Sequence, residues 1–227
     1  SQTVHNVAAR SGVIGAAAIE PMSAPLPGTW RPTLRDEGVY KANRLMRVMD
    51  WIKEERPRNV ILCARWSVRV DGQPHNGALD ALIAPAGEER LKPESARRAM
   101  RESLERVIDT CDELGITVWI LTEPPYQPAW PQLLAIQASL SERSPTGFGV
   151  DRAHHEAHQE SVMQILGELE GDNFRVVSLA EPFFDEEGRS IIKDGARCLY
   201  YDDDHLNSDG AERYLSGTFE EILRSFE

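Results

Sequence analysis

Four apolar runs punctuate the chain, at Val13 to Ala18, Asn59 to Ala64, Ile116 to Thr122 and Phe174 to Leu179. Each lacks clean alternation of apolar and polar positions. Runs of this kind suit strands covered on both faces, as in a parallel sheet. Between them the period changes to that of a helix. From Pro93 to Leu114, the residues Ala96, Met100, Leu104, Val107, Ile108, Cys111 and Leu114 recur at helical spacing, and Gly115 supplies a stop. From Val39 to Glu55, Leu45, Val48, Met49 and Ile52 form one stripe, with Pro57 just beyond. Asp151 to Leu169 and Asp209 to Phe226 read as helices too, the second entered through the capping candidates Asn207-Ser208-Asp209. Strands that alternate with helices predict an α/β fold, a three-layer α/β/α sandwich whose functional loops gather at the carboxyl ends of parallel strands. The proline-rich stretches Pro21 to Pro32 and Pro124 to Pro131 read as turns rather than linkers.

The length of 227 residues and 41% hydrophobic content allow a sizeable core, and one domain over 1–227 is the simplest count. With 37 acidic against 25 basic residues the formal net charge is −12, which argues against nucleic acid as a partner. No apolar run approaches the roughly 20 residues that cross a bilayer, and no signal-peptide pattern opens the chain. Cys63, Cys111 and Cys198 are odd in number and widely spaced, with no zinc-binding pattern. They read as free thiols, with Cys63 and Cys111 as small buried hydrophobes.

The clearest chemistry lies in Tyr200-Tyr201-Asp202-Asp203-Asp204-His205-Leu206-Asn207. An aspartate three residues before a histidine in one turn can accept the Nδ1 hydrogen, fix the tautomer and stabilise the imidazolium formed when Nε2 takes a proton. Asp202 is the expected orienter of His205. Asp203 and Asp204 are left open, as solvated groups, helix caps or cation ligands. An acidic surface loop with an incidental histidine is the competing reading.

The segment from Leu199 to Ala211, with its Asp-Asp-Asp-His-Leu-Asn core, resembles the last block of SGNH hydrolases, in particular the SGNH domains fused to acyltransferase-3 membrane proteins. Asn59-Val60-Ile61-Leu62-Cys63-Ala64-Arg65-Trp66 is similar to a strand of those fused domains that ends in Arg-Trp. Glu123-Pro124-Pro125-Tyr126-Gln127-Pro128-Ala129-Trp130-Pro131 resembles their proline-rich loop. The resemblance implies an SGNH-hydrolase, flavodoxin-like sandwich with His205 and Asp202 as the catalytic base and its orienter. It places Arg65 and Trp66 where the better-known enzymes carry an oxyanion-hole block with Asn. Arg65 is then a charge-assisted donor to an oxyanion or sugar hydroxyl, and Trp66 a platform for a sugar ring. A salt-bridged arginine and a core tryptophan are the plain alternatives. Ser23-Ala24-Pro25-Leu26 falls where many of these domains have a half-cystine, so packing must hold that loop.

The chain departs from the family in having no Gly-Asp-Ser block. Residues 1–12 look like the remainder of the helix that such a block opens, with Val4, Val7 and Ala8 on its apolar side and Gly12 at its end. The nucleophilic serine and the first strand are therefore expected upstream of Ser1, with Ser1 itself as the lesser candidate. What the family implies is O-acetyl transfer to a cell-envelope polysaccharide by a Ser-His-Asp mechanism. An upstream membrane acyltransferase domain would deliver the acyl donor to a periplasmic or extracytoplasmic site. A glycan is the acceptor, and neither an organic cofactor nor a metal is needed. A carbohydrate esterase using water, and a glycan-binding domain without catalysis, are the alternatives.

Weaker signals read as structural. His154, His155 and His158 fall in one helix but miss the H-E-x-x-H pattern, and are expected on a solvated face. Arg97, Arg98, Arg101 and Arg106, interleaved with Glu94, Glu102 and Glu105, read as a charge-paired outer face. His75 lies in a turn-rich loop, where position alone suggests a substrate contact.

Overall fold

The computed structural model describes residues 2–18, 24–73, 77–140, 148–195 and 197–226. Ser1, Ser23 and His75 lie outside them. The first half runs α1 (Gln2–Arg10), β1 (Thr29–Trp30), α2 (Arg35–Glu55), β2 (Asn59–Cys63), α3 (Trp66–Asp71), β3 (Ala84–Pro85), α4 (Pro93–Glu113) and β4 (Thr117–Leu121). The second runs α5 (Pro131–Leu140), α6 (Arg152–Glu168), β5 (Phe174–Val177), β6 (Lys193–Asp194), β7 (Arg197–Cys198) and α7 (Ser208–Arg224). These elements form two compact units: a sheet unit, residues 18–122 and 158–177, and a loop unit, residues 1–17, 123–157 and 178–227.

The sheet unit carries the parallel sheet β2-β4-β5, with β4 central. Asn59 pairs with Thr117 and Cys63 with Leu121 on one side, and Val118 with Phe174 on the other. Helix α4 covers this sheet as its periodicity predicts: Ala96, Met100 and Leu104 are fully buried, as is Cys111, and they join Val118 and Ile120 of β4 in one core. Each large aliphatic side chain taken from water there contributes about 1.5–3 kcal/mol. Pro93 starts the helix at its first turn, where its missing N–H costs nothing. At the other end Gly115 turns the chain with φ +68°, and Ile116 N–H returns to the Cys111 carbonyl. Helix α2 adds Met49 and Ile52 to the same core and ends at Arg56, whose left-handed φ of 48° precedes Pro57.

Three expectations change here. Val13 to Ala18 form no strand: a turn at Ser11-Gly12 ends α1, and the run continues irregularly with Ile14 fully solvated at 98% exposure. Gly15, Ala16 and Ala17 bring too little apolar surface to fix a strand, whatever the hydrophobic average of the run. Cys63 is exposed rather than buried, because it ends an edge strand on the face opposite Leu62, which points into the core. Burial on both faces holds on central β4, where Ile120 and Leu121 are both enclosed, and weakens at the edge strand β5, where Val176 is exposed. Cys111 meets its expectation, and burial together with the neighbouring Asp112 charge pushes its thiol up to about 11.

In the loop unit, α1 packs along α7, with Arg10 bonded to Glu212 at 3.0 Å and Val7 fully buried. Gly12 adopts φ +70° just past α1, as its expected capping role requires. The short hairpin of β6 and β7 pairs Lys193 with Cys198. Ile192, Leu199 and Tyr200 form a small core beside it, backed by Leu134, Leu206 and Tyr214. Two helices escaped the sequence pattern. Pro131 begins α5, a position where proline favours a helix rather than ending one. Helix α3 follows a strand whose β-branched composition continues through Val68 and Val70 and hides the change of period.

No helix among the described residues is long and apolar enough to cross a membrane.

Candidate active site

The loop that carries the aspartates and the histidine is closed by backbone pairing. Tyr200 bridges to Leu206, Tyr201 N–H donates to the His205 carbonyl at 2.7 Å, and Asn207 N–H donates to the Leu199 carbonyl at 3.0 Å. Asn207 then caps α7: its Oδ1 accepts from Gly210 N–H at 2.8 Å, while its amide nitrogen donates to the Cys198 carbonyl at 2.7 Å. Gly210 is required by close approach, since a Cβ there would sit 2.3 Å from the Leu199 carbonyl oxygen.

A second layer of bonds comes from the proline-rich loop. Gln127 is fully buried; its backbone N–H donates to the Asp203 carbonyl at 2.7 Å, and its amide nitrogen to Ser190 Oγ at 3.0 Å and Tyr200 Oη at 3.2 Å. Its Oε1 accepts from Val150 N–H. The Tyr200 hydroxyl donates to the Pro125 carbonyl at 3.0 Å, and burial raises its pKa well above the usual range. From the first turn of α5, the Gln132 amide donates to the carbonyls of Tyr200 and Tyr201. Five residues of turn are thus pinned from both ends and from the side.

Inside that turn, Asp202 Oδ1 accepts the backbone N–H of His205 at 2.7 Å and of Asp204 at 3.1 Å. Both Asp202 oxygens lie 2.9 Å from His205 Nδ1. Asp204 Oδ1 lies 2.7 Å from the same nitrogen. The imidazole is therefore oriented through Nδ1, and Nε2 is the nitrogen left to exchange a proton with a substrate or nucleophile. The electrostatics follow from this geometry. Hydrogen bonding to Asp204 raises His205 most; burial opposes it, and the charges of Asp204 and Asp202 bring the imidazole to about 9. Burial alone would raise Asp202, but bonds from Asp204, the two backbone N–H groups and the imidazole outweigh it and hold the carboxyl at about 2.

Asp202, Asp204 and His205 also bring ligand atoms within 4.8 Å of one another, a spacing that a cation could use. His205 Nδ1 is shared between the two carboxylates.

The other residues singled out by sequence fall as follows. Arg65 is half-buried where β2 turns into α3, at the carboxyl end of a parallel strand, and its carbonyl accepts from Arg69 N–H. Trp66 takes the second of its two readings: it is completely buried in the sheet unit's core, with Nε1 donating to the Leu121 carbonyl at 2.8 Å. An indole enclosed in this way has no ring face to offer a sugar. Arg65 and Trp66 belong to the sheet unit, Asp202 and His205 to the loop unit. His155 corrects its expectation, being buried against Phe184 with ring centroids 5.7 Å apart, and His158 is half-buried, while His154 is exposed. The arginines of α4 bond mostly outside their own helix: Arg97 pairs with Asp71, Arg98 with Glu88, Arg101 with Glu168, and Arg106 donates to the Pro27 carbonyl, while Arg98 with Glu102 is the expected kind of pair within the helix. Gln127 and Gln132 were not legible as site residues, because a lone amide in or beside a proline-rich stretch carries no spacing signal.

An α/β fold with a parallel sheet and a His-carboxylate turn leading into its last helix is the architecture of an SGNH-type protein. The family model of the SGNH domain fused to AT3 domains matches residues 1–217, and the chain belongs to that family. A solved periplasmic domain of a lipopolysaccharide acetyltransferase from Salmonella ser. Paratyphi A is similar in structure, with a TM-score of 0.62 at 14% identity. The match covers 97% of this chain and 77% of that one. At this identity the likeness is one of fold. No curated protein matches the chain.

Proposed function

We propose that this domain transfers an O-acetyl group to a hydroxyl of a cell-envelope polysaccharide, outside the cytoplasmic membrane, with the acyl donor supplied by a membrane acyltransferase domain. The reading is carried by one observation: His205 Nδ1 is clamped at 2.9 Å by both oxygens of Asp202 in a chain of the SGNH family. The family's fusion to AT3 domains supports the donor, and the similar Salmonella domain, the periplasmic part of a lipopolysaccharide acetyltransferase, supports the class of reaction and its side of the membrane.

In the proposed reaction His205 Nε2 takes the proton of a serine hydroxyl as its oxygen attacks the acyl carbon of the donor. The leaving group of the donor receives that proton, and an acyl-serine ester remains. A sugar hydroxyl then attacks the ester and gives its own proton to His205, which returns it to the departing serine oxygen. Asp202 fixes the tautomer and stabilises the imidazolium in both steps. Arg65 is assigned the role of a charge-assisted donor to a substrate oxygen. No metal or organic cofactor enters either step.

The intact protein, given an acetyl donor and its envelope polysaccharide, should yield acetylated glycan with little free acetate. Release of acetate alone, equal with and without glycan, would turn the assignment to an esterase. EDTA should leave the rate unchanged.

A further inference from the structure

Asp202 is the aspartate that sequence spacing selects, yet the shorter approach to the imidazole is made by its neighbour. Asp204 Oδ1 lies 2.7 Å from His205 Nδ1, and its side chain is 9% exposed, against 28% for Asp202. Asp202 meanwhile spends one oxygen on the backbone N–H groups of Asp204 and His205, the bonds that shape the turn. The two carboxylates therefore divide the work. Asp202 builds the turn and touches the ring as the more open carboxylate, and Asp204 meets the same nitrogen as the more enclosed one, whose charge is less screened by water. We propose that Asp204 is a positioning residue for the acyl-transfer reaction, holding the His205 imidazolium jointly with Asp202 and setting the pH at which His205 becomes a free base. This rests on the reading of His205 as the base.

Asp203, a third carboxylate, lies between Asp202 and Asp204 in the same turn. The groups that press on the turn from the proline-rich loop and from α5 are Gln127 and Gln132, both neutral. Glu123 is buried at the start of that loop. On the hairpin and α7, Arg197 pairs with Asp209 at 3.1 Å, and Arg213 with Asp194. The shift of His205 to about 9 has Asp204 as its first cause and Asp202 as a lesser one, in line with this division.

The experiment compares wild type with Asp204→Asn and Asp202→Asn by NMR titration of the His205 ring in this chain, and by the pH profile of acetyl transfer in the intact protein. Loss of the Asp204 charge should lower the His205 midpoint by about one unit or more, a tenfold change in its protonation ratio. It should move the ascending limb of kcat/KM by the same amount. Asp204→Glu should restore part of both shifts. A midpoint in Asp204→Asn equal to wild type overturns the proposal, as does a shift confined to Asp202→Asn. Where Asp204→Asn does not fold, Asp204→Ser carries the same expectation and the same overturning result. The two readings fail separately. Full transfer by a His205→Ala protein would remove the base, and with it Asp204's part in the reaction, whereas an unmoved titration midpoint removes Asp204 alone.

Discussion

The sheet unit and the loop unit are held together by different forces. Around α4 and β4 the contacts are apolar and closed to water: Met100, Leu104 and Ile120 are fully enclosed, and few polar groups are asked to do anything. Around Asp202 and His205 the apolar contribution is a small cluster, and the geometry is fixed by directional bonds to Gln127, Asn207 and Gly210. Burial is non-directional and tolerates a shift of a few tenths of an ångström, which a scaffold can absorb. A proton-transfer site cannot tolerate that, so it relies on hydrogen bonds whose distances and angles are narrow.

Substitutions should separate these two modes. In the sheet unit, Leu104→Ala should cost about 2–5 kcal/mol, read by urea denaturation, while molecules that remain folded keep an unshifted His205 titration. In the loop unit, Asn207→Ala removes the α7 cap and should cost only about 1 kcal/mol, yet it should broaden or shift the His205 ring resonances. A Leu104→Ala protein with a displaced His205 midpoint would show that the two modes are not separable.

The smallest effect is that of pH on the turn itself. His205, raised from its usual 6.5 to about 9, adds stability that is full below pH 6.5 and is lost as pH rises through 9. Asp202, lowered from 3.8 to about 2, adds stability that is full above pH 3.8 and is lost as pH falls through 2. The stability contributed by the ion cluster is therefore full between pH 3.8 and 6.5 and falls away on either side, although the folded pair stays ionised between about pH 2 and 9. The His205→Gln protein should lose the alkaline decline in Tm and keep the acidic one. An unchanged alkaline decline would place its origin in another group.

How much of this was legible in the sequence follows the same division. Helix α4 and strand β4 were readable almost to their ends, because period and burial coincide there and Pro93 and Gly115 mark the limits. The Asp202–His205 pair was readable because both partners sit in one turn, three residues apart. Val13 to Ala18 misled because an apolar average says nothing about whether a strand has a partner. Trp66 could be read either as a platform or as core, and only the closure of the core around it decides. Gln127 was invisible, since its role depends on Ser190 and Tyr200, which lie 63 and 73 residues away. Asp204 was visible as a charge, but not as the nearer carboxylate, because side-chain direction within a five-residue loop is set by bonds to other segments.

The most direct test of the central assignment is acetyl transfer by the intact protein carrying His205→Ala. With the base removed, kcat should fall by about 10²–10⁴-fold while the circular dichroism spectrum and glycan binding persist. Transfer at the wild-type rate by a folded His205→Ala protein would contradict the assignment of His205 as the catalytic base.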